Sequence, residues 1–366
     1  MSNTFITVKQ IAREALPRLI DNLVFPNLIY RDTACASAAR MGDTVSVRRP
    51  VKLTAKDFSA DSGVISEDIT EDAVNIKLDR IATVDTEISA LDGALDIDSM
   101  ARLFIEPAAA ALAEKINSDG LELYRDIPYV GGTAGKTPCE LGDFAEAAFM
   151  LDTNKVPTGS RCAVWDPSAT ASFKQIPALI NAEKCGTSAS LRSGSIGEVF
   201  GISSFMSQAV KTHEAGTLKA TALKVADAVS DSDTVSLTGS GISGNLKVGD
   251  ILKIGSKTYA VKRGAEVADG KITVNIYPNI CAEKDEAAEL LGSHTANLVF
   301  HPSAFAFVTR PLAAPAGVES YVTTYNGISL RVVRGYDMKY KREMLSMDVL
   351  YSFATLYPEL ACRYMG

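Results

Sequence analysis

The sequence predicts an α+β protein built in layers, with a separate β-rich segment inserted late in the chain. Three observations predict it. Helical spacing of apolar residues runs through Asp96–Asp126, strand-like alternation flanks an acidic stretch within residues 44–90, and residues 218–292 have almost no helical period. The 366 residues suffice for two or more domains and a sizeable core. A hydrophobic content of 46% against 22% charged residues predicts a folded, soluble chain rather than a disordered one.

The elements follow in order. Val8, Ile11, Ala12, Ala15, Leu16, Leu19, Ile20 and Leu23 recur at helical spacing, so residues 8–25 form an amphipathic helix that Pro17 kinks. The stretch from Phe25 to Val45 is too short to hold its own core and is expected to lie as an arm across something else. From Thr44 the period changes. TVSVRRPVKL alternates, and NIKLDRIATVDTEIS from Asn75 does so again. The polar, acidic segment between them makes a protruding hairpin or a solvated loop, and a lone extended hairpin is marginal in water unless a neighbour covers it.

The Asp96–Asp126 helix carries Ile97, Met100, Ala101, Phe104, Ile105, Ala108, Ala109, Leu112 and Ile116 on one stripe. Asp96 and Asp98 stand where a cap or a favourable dipole charge belongs, and unbroken it would span roughly 40 Å. Pro107 removes one backbone donor and predicts a bend. Beyond it, DFAEAAFMLD is a helix capped by Asp143, and CAVWDPSATASFKQI is strand, Asp-Pro turn and helix. Asn181–Ser195 is loop-like, and SGSIGEVFGISSFMSQAV returns to glycine turns and strands.

Between Leu218 and Gly292 come the short strands LKATALKVA, TVSLTG, DILKIG, KTYAVKR and KITVNIYP, separated by turns that include GSGISGN. Strands this close together predict a small β-barrel or sandwich inserted into the surrounding domain. The chain resumes with the strand NLVF, a short helix or strand pair at HPSAFAFVTRP, alternation from Ile328 to Val333, and a closing strand that ties the C-terminus into a central sheet.

Composition narrows the function. A net charge of −7 disfavours a dedicated nucleic-acid binder. Cys35, Cys139, Cys162, Cys185, Cys281 and Cys362 include no CxxC pair, so buried free thiols are expected rather than disulfides or a metal site. Histidines occur only at His213, His294 and His301, which weakens a general-base or zinc hypothesis, and His301 beside Pro302 is expected to be structural. GGTAGKT at Gly131–Thr137 is one residue short of a phosphate-binding loop, with Val130 where its first glycine belongs. Gly239, Gly241 and Gly244 satisfy GxGxxG, but a strand rather than a helix follows, so a hairpin turn is expected there. No catalytic, cofactor-binding or metal-binding residues are assigned. No apolar run reaches the ~18 residues of a membrane span. The N-terminus lacks a signal-peptide core, which predicts a protein made and kept in a cytoplasm.

REALPRLIDNLVFPNLIYRD, MGDTVSVRRP, SGSIGEVFGISSF, NLVFHPSAFAFVTRPLAAP and MDVLYSFATLYPELACR, in that order and spacing, resemble the major capsid proteins of tailed phages, specifically the group around the phage P-22 coat protein. The resemblance implies the HK97-like capsid fold. In this sequence that means an N-terminal arm (1–43), an extended hairpin loop (44–90), a peripheral domain with the spine helix (91–140) and the first part of an axial domain (141–217). The inserted β-barrel would be 218–292, shorter than in P-22, and 293–366 the closing part of the axial and peripheral domains.

The implied function is structural. Copies of the chain join as hexamers and pentamers around a scaffolding protein into an icosahedral shell enclosing double-stranded DNA. A portal protein and decoration proteins are further partners, the DNA lies nearby without sequence-specific binding, no membrane is involved, and assembly takes place in the host bacterial cytoplasm. Self-crosslinking chemistry has no motif here. Candidate contacts between subunits are the acidic Asp57, Glu67, Asp68, Glu71 and Asp72 and the basic Arg48, Arg49, Lys52 and Lys56, against the equal alternative of a solvated loop tip. Competing readings are a β-rich surface or adhesion protein and an unrecognised enzyme, for which no nucleophile elbow or His–carboxylate spacing is seen.

Overall fold

A computed structural model of the chain describes residues 7–32, 39–48, 73–88, 101–181, 192–337 and 342–366. It divides into two compact units. The first comprises Met1–Arg18, Arg31–Leu112 and Ala306–Leu356, the second Leu19–Tyr30, Ala113–Phe305 and Tyr357–Gly366.

In chain order the first elements are helices α1 (Val8–Asn22) and α2 (Phe25–Leu28), then strands β1 (Tyr30–Asp32), β2 (Thr44–Arg48), β3 (Ala73–Lys77) and β4 (Arg80–Ile88). A helical run follows: a π-helical turn Ala101–Ile105, α3 (Glu106–Leu121) and a 3-10 turn Glu122–Asp126. Next come β5 (Val130–Gly132), α4 (Leu141–Thr153), β6 (Arg161–Trp165), α5 (Pro167–Phe173), α6 (Pro177–Ile180), β7 (Gly197–Val199), β8 (Ile202–Met206) and β9 (Thr212–His213). Eight strands crowd the next part: β10 (Lys219–Val225), β11 (Val229–Ser243), β12 (Asn245–Leu246), β13 (Ile251–Ile254), β14 (Lys257–Val261), β15 (Ala265–Glu266), β16 (Lys271–Ala282) and β17 (Ala288–Leu290). The chain ends with β18 (His294–Phe300), β19 (Phe305–Arg310), β20 (Glu319–Tyr325), β21 (Ile328–Asp337), β22 (Arg342–Thr355) and β23 (Ala361–Met365).

The first unit is built on a six-stranded sheet of order β1-β19-β22-β21-β20, with β4 also paired to β22. Alternation puts Ile328, Leu330 and Val332 of β21 and Leu345, Met347 and Val349 of β22 in the core. Phe307 stacks near Phe353 and Tyr351 at centroid distances of 4.8 and 6.3 Å. Helix α1 starts with the reciprocal bonds of a capping box, Thr7 N–H to Gln10 Oε1 (3.0 Å) and Gln10 N–H to Thr7 Oγ1 (3.4 Å). It buries the predicted stripe from Val8 to Leu19, while Pro17 lies within the helix on its exposed side.

The long helical run keeps its period, burying Ile105, Ala108, Ala109, Leu112, Ala113 and Ile116. It changes hydrogen-bond pattern from π to α at Glu106, immediately before Pro107. A proline in the first α-turn lacks only a donor that the turn leaves orphaned, so the run adjusts without stopping. Asp96 and Asp98 lie outside the described residues.

The second unit holds a seven-stranded mixed sheet, order β5-β23-β18-β6-β8-β7, with β9 paired to β18. The closing strand β23 lies inside it, antiparallel to β18 and parallel to β5. Phe144, Ala147 and Leu151 of α4 join Trp165, Phe173 and Tyr364 in one core, with Phe144 5.3 Å from Trp165 and 4.4 Å from Phe173. Asp166 caps α5 by accepting from Ser168 and Ala169 N–H, as the Asp-Pro turn predicts.

Residues 218–292 form a second sheet of order β10-β11-β16-β14-β13-β17, and β12 pairs with β15. Its two outer strands come together at an isolated bridge, Lys224 to Ala287, where Val225 N–H donates to Glu286 O (2.9 Å) and Asp285 N–H to Val225 O (3.0 Å). Val235, Leu237, Leu252, Tyr259, Val261, Ile272 and Val274 belong to a core of its own.

Just after α1, Phe25 is fully buried against later parts of the chain, 5.4 Å from Phe300 and 5.5 Å from Phe305, and Asn117 Oδ1 accepts from Val24 and Phe25 N–H. Two expectations change. Asp143 is not the cap of α4 but its third residue, accepting from the N–H groups of Cys139 (2.7 Å) and Glu140 (2.8 Å). The stretch GSGISG lies largely within β11 rather than in a turn, because Gly239 lets Ala220 of β10 approach to 2.8 Å of where a Cβ would stand.

Candidate functional site

Strands β2 and β3 are antiparallel, with Thr44 opposite Lys77 and Arg48 opposite Ala73. They form a two-stranded antiparallel ladder, and residues 49–72 between them lie outside the described residues. Alternation buries Val47 and Ile76 and leaves Thr44, Ser46 and Arg48 exposed. Of the predicted contact residues, Arg48 sits at one end of this ladder. Arg49, Lys52, Lys56, Asp57, Glu67, Asp68, Glu71 and Asp72 lie outside the described residues.

The sequence reading missed a set of ion pairs across the sheet of the first unit. Arg331 reaches Asp348 (2.6 Å), Arg334 reaches Glu343 (2.8 Å), Arg342 reaches Glu87 (2.6 Å) and Arg310 reaches Asp32 (2.5 Å). The first three cross between neighbouring strands β21, β22 and β4, where register makes the partners cross-strand neighbours. Arg342–Glu87 is more than half exposed and contributes little, whereas Asp348 is buried and depends on its arginine. Tyr325 of β20, Tyr336 of β21 and Met344 of β22 expose large apolar surface on the same sheet. No local pattern announces these pairs, since Glu87 and Arg342 are 255 residues apart.

In the second unit, side chains from four segments meet in a buried polar cluster. Tyr124 O–H faces His213 Nδ1 at 3.0 Å, and His213 Nε2 faces Asp250 Oδ1 at 2.8 Å. Asp250 is 0% exposed and also accepts from Gly216 N–H (3.1 Å) and Lys247 N–H (2.7 Å). An acceptor-only carboxylate requires the proton on His213 Nε2, so Nδ1 accepts from the tyrosine. Arg363, also 0% exposed, lies 4.8 Å from the Tyr124 ring and donates to the carbonyls of Gly249 (2.8 Å), Tyr124 (2.5 Å) and Ile127 (3.3 Å). Burial lowers its pKa to about 10, leaving it cationic at neutral pH.

His294 pairs with His213 across β18 and β9, and its Nδ1–H donates to the Gly292 carbonyl at 2.8 Å. Its Nε2 has no partner among the described residues. Burial pushes its pKa down to about 4, against the favourable carbonyl bond and helped by the charge of Arg363.

Tyrosine, histidine and carboxylate in series have the connectivity of a nucleophile–base relay. Tyr124 is 3% and His213 4% exposed, so the hydroxyl lies packed among protein atoms instead of facing a cleft where a substrate would bind. The cluster joins segments of the fold. Cys162 and Cys362 are buried thiols, Cys362 held at about 12 by burial, while Cys139 and Cys281 are exposed, unlike the sequence expectation. Among the described residues no group of three or more ligating side chains could hold a metal, and no helix is long and apolar enough to cross a membrane.

No protein-family model and no curated protein sequence matches the chain. Solved structures do. A chain of Mycobacterium phage Che8 aligns over 93% of this chain and 90% of its own at 16% identity, with a TM-score of 0.50. A chain from the capsid of the cyanophage P-SCSP1u aligns over 94% and 88% at 14% identity and a TM-score of 0.47. One from the mature capsid of bacteriophage PhiM1 aligns over 94% and 86% at 10% identity, also with a TM-score of 0.47. Identity this low speaks to the fold alone, and the Che8 likeness carries it: the chain is α+β and has the HK97-like fold of phage capsid subunits.

Proposed function

We propose, from this HK97-like fold, that the chain is the major capsid protein of a tailed phage. Many copies assemble as hexamers and pentamers around a scaffolding protein into an icosahedral shell that encloses double-stranded DNA. The observation that carries this reading is the fold likeness over 93% of the chain. The antiparallel pairing of Thr44–Arg48 with Ala73–Lys77 supports it physically, since an isolated two-stranded ladder is marginal in water unless a neighbour covers it. The charged residues Arg48 to Asp72 are then contacts between subunits, basic against acidic.

The finer assignment is to the P-22 type. It is supported by the separate core of residues 218–292 and by the bridge between its outer strands, as expected of a small inserted barrel. The domain boundaries follow the sequence reading, with 1–43 as arm, 44–90 as extended loop, 91–140 as peripheral domain, and 141–217 with 293–366 as the axial and closing parts. Portal and decoration proteins, and assembly in the bacterial cytoplasm, belong to the same proposal.

Electron microscopy of the protein purified after co-expression with its scaffolding protein tests the reading. Closed shells or capsomers of uniform size are expected. A monodisperse monomer at all concentrations and ionic strengths would overturn it.

A further inference from the structure

The β-rich module at 218–292 shares no core residue with the sheet that carries β18 and β23. Its apolar cluster runs from Leu218 to Ala282 and includes partly buried Leu290, whereas the cluster around Trp165 and Tyr364 takes nothing from the module. The two are joined covalently by a two-strand neck. His213 pairs with His294 and Thr212 with Thr295, and Ala215 N–H donates to Ser293 Oγ at 3.0 Å. Gly216 and Gly292 follow on the module side of that neck.

Beside its neck the module is fastened by polar groups together with a small apolar contact, the paired Ile251 and Ala260, which are buried but lie outside the module's own core cluster. Lys247–Asp250, the turn between β12 and β13, offers two handles to the rest of the unit. Asp250 takes the His213 imidazole and the Gly216 N–H, and the Gly249 carbonyl takes Arg363 from the closing strand. Fit is close at both. Gly249, at φ +89°, would carry a Cβ 2.7 Å from the Arg125 side chain, and Gly216 would carry one 2.3 Å from the Asn245 carbonyl. The set is incompletely satisfied, because Arg363 Nε and His294 Nε2 have no partner among the described residues. Apolar surfaces welded together do not part without exposing a core. Hydrogen bonds to a turn exchange for water at small net cost, and a partly satisfied buried network is weak for its size.

We propose that Asp250, His213, Tyr124 and Arg363 form a latch holding the 218–292 module in a docked orientation, and that opening it lets the module pivot at Gly216 and Gly292 as an intact body. The device stands on the geometry of one subunit and does not depend on shell formation. It adds a conformational degree of freedom to a chain whose proposed role is assembly, where one sequence must occupy non-identical positions. Asp250 and His213 act as positioning residues.

The chain supplies its own probes. Cys281 is exposed on the module and Cys139 is exposed outside it. In the full-length chain carrying Cys35→Ser and Cys185→Ser, spin labels on these two thiols report their separation. One narrow distance is expected, with any second population below roughly a tenth. Asp250→Asn should bring up a second distance as a major population, and Tyr124→Phe a smaller one. Amide exchange in β6, β23 and β16 should stay as slow as in the parent, while the amides of Gly216, Lys247 and Gly249 exchange at least about tenfold faster. Nitrogen NMR should place the His213 proton on Nε2 in the parent, and Asp250→Asn should shift that tautomer balance.

An unchanged single distance in folded Asp250→Asn would overturn the latch. So would faster exchange of β6, β23 and β16 together, or failure of Asp250→Asn to fold, because either makes the cluster part of one indivisible core.

Discussion

His294 ties stability to pH directly. Its imidazole is buried beside Arg363, its Nδ1–H is committed to the Gly292 carbonyl, and a proton on Nε2 would meet no acceptor among the described residues. Folded, it titrates at about 4; unfolded, near the ordinary histidine value of about 6.5. Above about pH 6.5 both states are neutral and nothing is lost. As pH falls from there toward about 4, the unfolded chain takes up the proton and the folded one does not, so stability drops by about 1.4 kcal/mol per unit of the pKa difference. His213, Asp250 and Tyr124 face the same site. Urea unfolding between pH 7.5 and 4.5 should show this loss, and His294→Asn should lower stability at pH 7.5 yet remove that leg of the profile. Parallel curves for the two proteins would mean that His294 is accessible to solvent protons in the native state.

At the scale of elements, what was legible in the sequence is what a local period encodes. The stripe of α1, the strand, Asp-Pro cap and helix of Arg161–Phe173, and the closing strand Ala361–Met365 each follow from side chains within a few residues of one another. The strands of the 218–292 module were equally visible, because alternation such as Ile272, Val274 and Ile276 needs no distant partner. Features set by distant segments were not visible. Phe25 is buried by residues about 275 positions away, and Asp250 meets a histidine 37 residues earlier that looks like any other in the sequence. Charge is the hardest to place, as Arg310 and Asp32 show.

Two predictions belong to this scale. Deleting Lys56–Asp72 should leave a subunit with unchanged circular dichroism that no longer closes shells, because β2 and β3 keep their pairing; normal shells after the deletion would end the role given to the hairpin. Residues 218–292 expressed alone should unfold cooperatively in urea, since their core is self-contained. Random-coil amide shifts in that fragment would make the module a dependent extension of the neighbouring sheet.

For the molecule as a whole, stability should be a property of the assembly. Phe149 is 65% and Phe200 54% exposed, and Phe205 and Met206 lie open at the β7–β8 edge of the second unit's sheet, a place where an isolated chain risks association. In the first unit Tyr325 is 66% exposed at the β20–β21 turn. Each surface covered by a neighbour removes apolar area from water at about 25 cal/mol per Å² and binds the folded state alone, which raises apparent stability by mass action. Against this stands a charge of −7 on every copy, whose repulsion reaches about 8 Å at physiological ionic strength. Assembly from dilute subunits should therefore improve from about 10 mM to 150 mM salt as long-range repulsion is screened. Shells should melt well above isolated subunits in calorimetry, and their midpoint should fall on dilution toward the dissociation threshold. Equal midpoints for subunit and shell, independent of concentration, would mean that each copy is already complete, and neither the exposed aromatics nor the hairpin would then have an energetic reason to be where they are.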